Sequence, residues 1–282
     1  MIQLNVNSYD KVIKPLKSVT INTLFAKSVI NQQVPGSVYV DCPINPRVFY
    51  IVHPYGMSLL FGETENANFN DHLFVYLTNK EKLRNKEEWL QVFPKSWNKK
   101  LESLLASYLI KKDFTNKIEF LGTNYDNRKV VENTRVNFVF NPNEYRNVKT
   151  KFSRQREEIV RVTKETFRNF EGNVVPKYFW KDENQFENKG IGFNLIYDNT
   201  VVSIAFSSFR VKNQLEIGIE TLERYRSKGF ALYVCSALIN YCIENSLEPV
   251  WSCRQENTAS YQLAHKLGFI PTLSIPYYRL LV

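Results

Sequence analysis

Hydrophobic and polar residues alternate most regularly just after residue 214. From Leu215 to Ile219 every second residue is apolar, and Glu216, Gly218 and Glu220 hold the positions between and after them. This period of two is typical of a strand with one buried face. Further on, apolar residues recur at three- and four-residue spacing, at Leu232, Cys235, Leu238, Ile239 and Cys242. That spacing indicates a packed helix, so the stretch predicts a strand, a short loop and a helix.

Similar patterns predict elements along the rest of the chain. The predicted helices are Ser18–Ile30, Lys86–Val92, Ser96–Ile110, Ser153–Phe170, a helix from Gly229 and one from Asn257 to Gly268. The other predicted strands are Ser37–Val40, Val48–Val52, Met57–Phe61, His72–Leu77, Lys117–Leu121, Thr134–Phe140, Ile191–Tyr197, Val201–Phe209, Pro249–Cys253 and Ile275–Val282. Residues 169–188 are interpreted as a polar and aromatic loop over the site. This mixture of elements predicts an α+β protein.

The length of the chain favours two domains. With 282 residues it exceeds the common size of a single domain. The turn residues Asn141-Pro-Asn143 follow a predicted strand, so the boundary is placed there. We therefore expect an N-terminal α+β domain at 1–145 and a second domain at 146–282.

The loop after the predicted strand has the chemistry of an anion site. Arg226 and Lys228 flank it, and the small residues Gly229 and Ala231 allow a ligand to approach the backbone. The first amides of a helix lack intrahelical partners and lie at the positive end of the helix dipole. Together these features predict a cradle for a pyrophosphate.

Two motifs resemble those of the GNAT acetyltransferase superfamily. The first is the R-x-x-G-x-A spacing of Arg226–Ala231, which resembles the superfamily's acetyl-CoA signature. The second is Asn257–Phe269, which resembles its late helix with an initial Asn and a K-L-G-F ending. The resemblance covers roughly residues 189–282. The wording IGIET-x-x-x-Y-R-S-K-G-x-A further resembles the branch that includes the zwittermicin A resistance acetyltransferase.

The resemblance implies a fold, a cofactor and its contacts. The fold is the GNAT fold in the C-terminal half, a mixed, mostly antiparallel central sheet flanked by helices. In it the two strands after the hairpin splay apart, and acetyl-CoA inserts its pantetheine between them. The cofactor-binding residues carried over are Thr221, Leu222, Arg226, Ser227, Lys228, Gly229, Phe230, Ala231 and Asn257.

Two glutamates are candidates for the general base. Glu216 and Glu220 share one parity of the strand, so both leave the same face. Glu216 lies near the position where several GNAT enzymes place a basic glutamate, but a salt-bridge or solvent role is the alternative for both. The family's usual tyrosine general acid is replaced by Ala264, and Tyr261 lies almost one helical turn earlier. Water is then expected to protonate the leaving thiolate.

The N-terminal half has two interpretations. Its order of predicted elements loosely echoes the C-terminal half, which suggests a degenerate GNAT-like repeat. The alternative is an unrelated α+β domain. The loop from Thr78 has no glycine and no R-x-x-G-x-A spacing, so we expect no cofactor cradle there.

Composition limits the setting and the partners. The net charge is +9, but the excess is spread along the chain, which argues against a nucleic-acid partner. The sequence has no apparent secretory signal and no apolar run of membrane-spanning length. Four cysteines without a C-x-x-C pair, and three scattered histidines, predict a cytoplasmic protein without a metal site. A homodimer is compatible with the resemblance.

The predicted function is N-acetyl transfer. An acetyl group would pass from acetyl-CoA to an amine of a small molecule, through direct attack in a ternary complex. Two alternatives stay open: a GNAT-fold module that binds or senses CoA without catalysis, and an acyltransferase acting on protein or aminoacyl-tRNA.

Overall fold

The computed structural model describes residues 1–112, 118–120, 129–149 and 158–282. Within them the helices are α1 (Asp10–Leu16), α2 (Leu24–Ile30), α3 (Ala67–Thr78), α4 (Ser96–Leu104), α5 (Pro142–Lys149), α6 (Lys164–Asn169), α7 (Glu183–Lys189), α8 (Phe230–Glu244) and α9 (Thr258–Lys266). The strands are β1 (Ile2–Gln3), β2 (Ser37–Val40), β3 (Val48–Val52), β4 (Met57–Gly62), β5 (Glu88–Phe93), β6 (Leu109–Lys112), β7 (Ile118–Phe120), β8 (Val130–Phe140), β9 (Glu158–Arg161), β10 (Gly192–Tyr197), β11 (Thr200–Val211), β12 (Gln214–Thr221), β13 (Glu248–Arg254) and β14 (Phe269–Leu280). Across these four ranges, no helix is long and apolar enough to cross a membrane.

The chain forms two compact units. The first consists of Met1–Arg135, Arg254–Glu256 and Ser274–Val282. The second consists of Val136–Cys253 and Asn257–Leu273. The division into folding domains at 1–145 and 146–282 stays a prediction.

The first unit contains a mostly antiparallel sheet. Its strands run in the order β1-β2-β3-β4-β5-β14, and only β4 and β5 in this order are parallel. The β3–β4 hairpin turns at Gly56, whose φ is +97°. One face of the sheet carries a core that includes Leu60, Leu90 and Tyr278, packed against Leu73 of α3 and Trp97 of α4.

The second unit contains the sheet β9-β10-β11-β12-β13. Its first four strands are antiparallel neighbours, and β13 runs parallel to β12. The predicted turn between β10 and β11 is confirmed, because Asp198 and Asn199 both have positive φ, as a two-residue hairpin turn requires.

Helix α8 covers one face of this sheet. Its residues Cys235, Leu238, Ile239 and Cys242 are buried in one core. The opposite face lies under the segment that was predicted to be a loop at residues 169–188 but contains most of α7. There the Phe179 ring lies 5.5 Å from that of Phe206, and Trp180 Nε1 donates a 2.7 Å hydrogen bond to the Ser207 carbonyl. Both faces of the sheet are therefore covered.

Two predictions for the first unit were wrong. The predicted strand His72–Leu77 lies in α3, which Asn66 caps by accepting a 3.0 Å bond from the Phe69 amide. Phe69, Leu73 and Leu77 then repeat at four-residue spacing and are buried. The predicted helix Lys86–Val92 is instead β5, because hydrogen bonding to β4 places Leu90 and Val92 in the core.

Other boundaries also needed correction. The helix predicted at Ser18–Ile30 begins at Leu24, the helix predicted at Ser96–Ile110 ends at Leu104, and α1 was missed. Of the helix predicted at Ser153–Phe170, Ser153 lies outside the described residues. Glu158–Arg161 is strand β9 because it pairs with β10, and the helix begins after Thr163, whose hydroxyl accepts a 3.1 Å bond from the Thr166 amide.

The order of elements repeats between the two units. In the first, β2, β3 and β4 are followed by α3, the parallel strand β5 and α4. In the second, β10, β11 and β12 are followed by α8, the parallel strand β13 and α9. This repetition supports the interpretation of the N-terminal half as a degenerate copy of the same fold.

Candidate active site

Strands β12 and β13 are paired only at their beginnings. The paired positions are Gln214 with Glu248, Leu215 with Pro249, and Glu216 with Val250. On its other edge β12 pairs with β11 as far as Thr221. From Ile217 onward the edge of β12 that faces β13 therefore has no strand partner there, and its amides and carbonyls line a gap between two strands. The predicted splay of these strands is present.

The loop 222–229 leads from β12 into α8. Gly229 is the N-cap residue of α8 and has a φ of +84°, a conformation that glycine adopts without steric cost. A Cβ on Gly229 would meet only Tyr233 Cε2, at 3.8 Å, so the space beside the loop is open. No side chain caps the first amides of α8. They remain available to an anion.

Basic side chains flank these amides. Ser227, Lys228 and Gly229 are exposed. The ring of Tyr225 makes cation–π contacts with two basic side chains, with Lys228 Nζ at 5.1 Å and Arg224 Cζ at 4.9 Å from its centroid. The loop therefore combines positive side chains with uncapped amides, as phosphate binding requires.

Glu216 is a buried carboxylate at the point where the two strands part. Its side chain is 4% exposed, and its Oε1 accepts a 2.7 Å hydrogen bond from Ser252 Oγ on β13. Ser208 Oγ donates to the Glu216 carbonyl at 3.0 Å, where β11 carries a bulge opposite β12. The structure thus fixes both the backbone and the carboxylate of Glu216. The extra residue of the bulge is Ser208 of β11, so the alternation along β12 is uninterrupted.

Glu220 is held differently, as an anchor between two loops. Its Oε2 accepts hydrogen bonds from the amides of Asn173 (2.8 Å) and Val174 (3.0 Å), and its Oε1 pairs with Arg226 Nη2 at 3.2 Å. Arg226 Nε also donates to the Thr221 carbonyl at 3.1 Å. A Cβ on Gly172 would lie only 2.5 Å from Glu220 Cγ, so this close approach requires glycine. Glu220 therefore links residues 173–174 to the loop 222–229.

The two carboxylates leave one face of β12, as predicted, but they do not form a pair. They lie four positions apart in the sequence, about 13 Å along an extended strand. A Cβ on the intervening Gly218 would lie 2.5 Å from Phe206 Cζ, so the Phe206 ring lies against the strand between them. Glu216 and Glu220 therefore act in different places.

The late helix α9 has Ala264 where the family usually has a tyrosine, and its Asn257 contacts its own helix. Ala264 is fully buried in the core, and the Tyr261 ring packs 5.4 Å from that of Phe138. Asn257 caps α9 by accepting a 3.2 Å bond from the Ser260 amide. Within the described residues none of its hydrogen bonds reaches the loop 222–229. Its assignment to the cofactor stays a prediction.

Two thiols of the second unit, those of Cys235 and Cys242, are buried and stay protonated. Burial raises the pKa of Cys242 to about 12 and that of Cys235 further still. Cys253 is also buried, on the core side of β13. A thiol serves as a nucleophile only as its thiolate. Cys235 and Cys242 are therefore unsuited to carry an acyl group.

Several partners of the site were not found by sequence reasoning. Ser252, Asn173 and Val174 all contact a predicted carboxylate, yet none belongs to a recognisable motif. The turn sequence Glu171-Gly-Asn173 precedes Val174 and was the one local signal near these two amides. It indicates a turn, but the close approach of Gly172 to Glu220 is visible only in the structure.

A family model described as GNAT acetyltransferase matches residues 14–278. The chain belongs to the GNAT acetyltransferase family. The match extends through the first unit as well as the second, so it covers far more than the two motifs that suggested the family. Members of this family use acetyl-CoA. Among the residues that the structure describes, no group of three or more His, Cys, Asp or Glu side chains is arranged to hold a metal ion.

Similar proteins agree with this membership. The chain is 29% identical over 248 residues to the uncharacterized N-acetyltransferase YdfB of Bacillus subtilis, covering 87% of this chain and 85% of that protein. A GCN5-related N-acetyltransferase-like protein from Streptococcus suis superposes with a TM-score of 0.69 at 18% identity, over 98% of this chain and 100% of that one. A tandem GNAT protein from the clavulanic acid biosynthesis pathway superposes with a TM-score of 0.59 at 8% identity, over 99% and 97%.

The chain is therefore an acyltransferase with the GNAT fold. The family and the relative support acetyl transfer, and the solved structures support the fold, including its tandem form. None of these comparisons tests the narrower resemblance to the zwittermicin A resistance branch, which stays a prediction.

Proposed function

We propose that this acyltransferase moves an acetyl group from acetyl-CoA to an amine of a small molecule, by direct attack in a ternary complex. The observation that carries the proposal is the gap between β12 and β13, combined with the loop 222–229 that leads from β12 to the uncapped start of α8. A strand edge with unpaired backbone groups suits the amides of pantetheine. A helix start flanked by Arg226 and Lys228 suits a pyrophosphate.

The burial of the thiols favours direct attack over an acyl-enzyme. Cys235 and Cys242 are held as neutral thiols by burial. In direct attack the amine nitrogen forms a bond to the thioester carbon and the CoA sulfur leaves as thiolate. Unpaired amides of β12 between Ile217 and Thr221 are suited to polarise the thioester carbonyl.

Glu216 is proposed as the group that removes the proton from the attacking nitrogen. It lies at the last paired position of β12, where the gap begins, and Ser252 holds one of its oxygens. This hydrogen bond holds the carboxylate in one orientation at the start of the gap. The thiolate then takes a proton from water, because Ala264 replaces the usual tyrosine.

The acceptor is tested by following CoA thiol release over a panel of amines. We expect at least one small amine to give saturable release, with one acetylated product per thiol. If CoA thiol is released only with proteins or aminoacyl-tRNA, the acceptor is a macromolecule and not a small amine. Tight acetyl-CoA binding without release on any acceptor would instead favour the non-catalytic module.

The first unit lacks the features proposed to bind acetyl-CoA. Strands β4 and β5 are paired at five successive positions, from Met57 with Trp89 to Phe61 with Phe93, so no gap opens between them. Only Glu63–Asn66 separate β4 from α3, and two of these four residues are acidic. Asn66 already caps α3. This start of a helix is therefore less suited to an anion than the uncapped start of α8.

We expect one acetyl-CoA site per chain. Calorimetric titration of the full chain should give a stoichiometry near one, because among the described residues only those of the second unit combine a gap with an uncapped helix start. Two equivalent sites would contradict the assignment of the first unit as a copy without a cradle.

A further inference from the structure

The first unit contains a cluster of arginines around two neighbouring aromatic rings. Trp89 of β5 and Tyr277 of β14 lie with ring centroids 5.0 Å apart. Arg254 Cζ lies 4.5 Å and Arg279 Cζ 5.6 Å from the Trp89 ring, and Arg135 Cζ lies 5.1 Å from the Tyr277 ring. We call these five residues the arginine cluster. All of them belong to the same compact unit.

The positive charge of the cluster is only partly neutralised. Arg279 forms a two-pronged pair with Glu87, through Nε and Nη2 at 2.8 Å each. Glu256, two residues after Arg254, directs its Oε1 to the Thr134 amide at 2.9 Å. Among the residues that the structure describes, Arg254 has no carboxylate or hydrogen-bond partner.

The two arginines beside Trp89 therefore differ in one respect: within the described part of the chain, Arg279 is paired with a carboxylate and Arg254 is not. Glu87 demonstrates that a carboxylate fits a guanidinium on this ring, with two parallel hydrogen bonds. Arg254 presents the same planar fork beside the same ring and is half-buried, as are Arg279 and Trp89. A half-buried guanidinium binds an anion more strongly than a fully solvated one does.

We propose that the arginine cluster is a binding site for the carboxylate of a small organic acid. The carboxylate accepts two hydrogen bonds from Arg254, and the planar ligand packs beside Trp89. This pairing repeats, with a ligand, the contact that Glu87 makes with Arg279. The proposal rests on contacts within the first unit and is independent of the acetyl-CoA site.

The test uses benzoate as the probe, with chloride and inorganic phosphate as separate arms at constant ionic strength. The full chain is titrated and the indole N–H resonance of Trp89 is followed by NMR, with assignment by Trp89→Phe. We expect saturable binding of benzoate in the millimolar range or tighter. Arg254→Gln should weaken binding by about tenfold or more, because it removes a charge-assisted fork.

Two further variants separate a built site from general charge. Arg47→Gln removes the same charge from an exposed position of the same unit, where Arg47 pairs with Glu63 at 3.5 Å, and should leave benzoate affinity unchanged. Arg254→Lys keeps the charge without the planar fork and should bind with intermediate affinity. An equal loss in Arg47→Gln and Arg254→Gln, equal affinity for phosphate, or no saturable benzoate binding would each overturn the proposal.

Discussion

Gly229→Glu is expected to abolish acetyl-CoA binding to a chain that still folds. Gly229 caps α8, and its missing side chain leaves the first amides of the helix open. A glutamate there places bulk and a negative charge where the pyrophosphate is proposed to lie. The variant is measured by thermal shift and by calorimetric titration with acetyl-CoA.

Gly229→Ala is the matched control. Both variants carry the cost of a φ of +84° in a residue with a Cβ, about 1–3 kcal/mol. Only the glutamate adds a charge, and the nearest atom to the new Cβ is Tyr233 Cε2 at an ordinary 3.8 Å. We expect the alanine variant to lose stability but to keep measurable affinity. Wild-type affinity in a folded Gly229→Glu chain would mean that the cofactor loop is misassigned.

The second unit could largely be predicted because its signals are local. The alternation around Glu216 and the turn at Asp198-Asn199 act over a few residues. The same holds for Gly229 at the start of α8 and for the Asn257 cap of α9. Each of these patterns involves residues close in the sequence, so the sequence was sufficient there.

The first unit was predicted less well because distant contacts decide its structure. The segment Glu88–Phe93 is charged at its start and has no strict alternation, and it becomes a strand only because β4 and β14 lie on either side of it. Conversely, His72–Leu77 has a strand-like composition but follows the cap of Asn66 and packs as a helix. Pairing and packing outweighed local propensity in both places.

The candidate site also has a part that the sequence predicts and a part that it does not. The loop at residues 226–231 has a recognisable motif. The residues that hold the two carboxylates belong to no motif. Ser252 reaches Glu216 across 36 positions of the sequence, and the amides of Asn173 and Val174 reach Glu220 across 47 and 46. Backbone amides carry no side-chain signature, so such partners are visible only in three dimensions.

These different surroundings decide which glutamate should be tested as the base. Glu220 already accepts two backbone hydrogen bonds and pairs with Arg226, which suits a side chain that positions loops. Glu216 accepts a hydrogen bond from the Ser252 hydroxyl and lies where the gap between β12 and β13 begins. A proton acceptor has to lie beside the reacting groups, and in the proposed complex only Glu216 does so.

Glu216→Gln is expected to lower kcat at neutral pH by about 10²–10⁴-fold, the usual contribution of a positioned base. The amide keeps the shape of the side chain and can still accept the bond from Ser252, but it cannot take a proton. The affinity for acetyl-CoA should be nearly unchanged, because the proposed phosphate contacts lie in the loop 226–231. The loss should shrink as pH rises, since a growing fraction of the amine is already neutral. Steady-state thiol release across pH, with the amine found in the acceptor screen, measures this.

Two companion variants locate the base. Ser252→Ala removes the hydrogen bond that orients Glu216 but leaves the carboxylate, so we expect a smaller loss of kcat with the same pH trend. Glu220→Gln weakens the anchor of the cofactor loop and should raise the KM for acetyl-CoA more than it lowers kcat. Full activity of Glu216→Gln near pH 7 with loss of kcat in Glu220→Gln would move the role to Glu220. If neither glutamine variant loses kcat, no side-chain base operates, and the rate depends on positioning and on the amine that is already neutral.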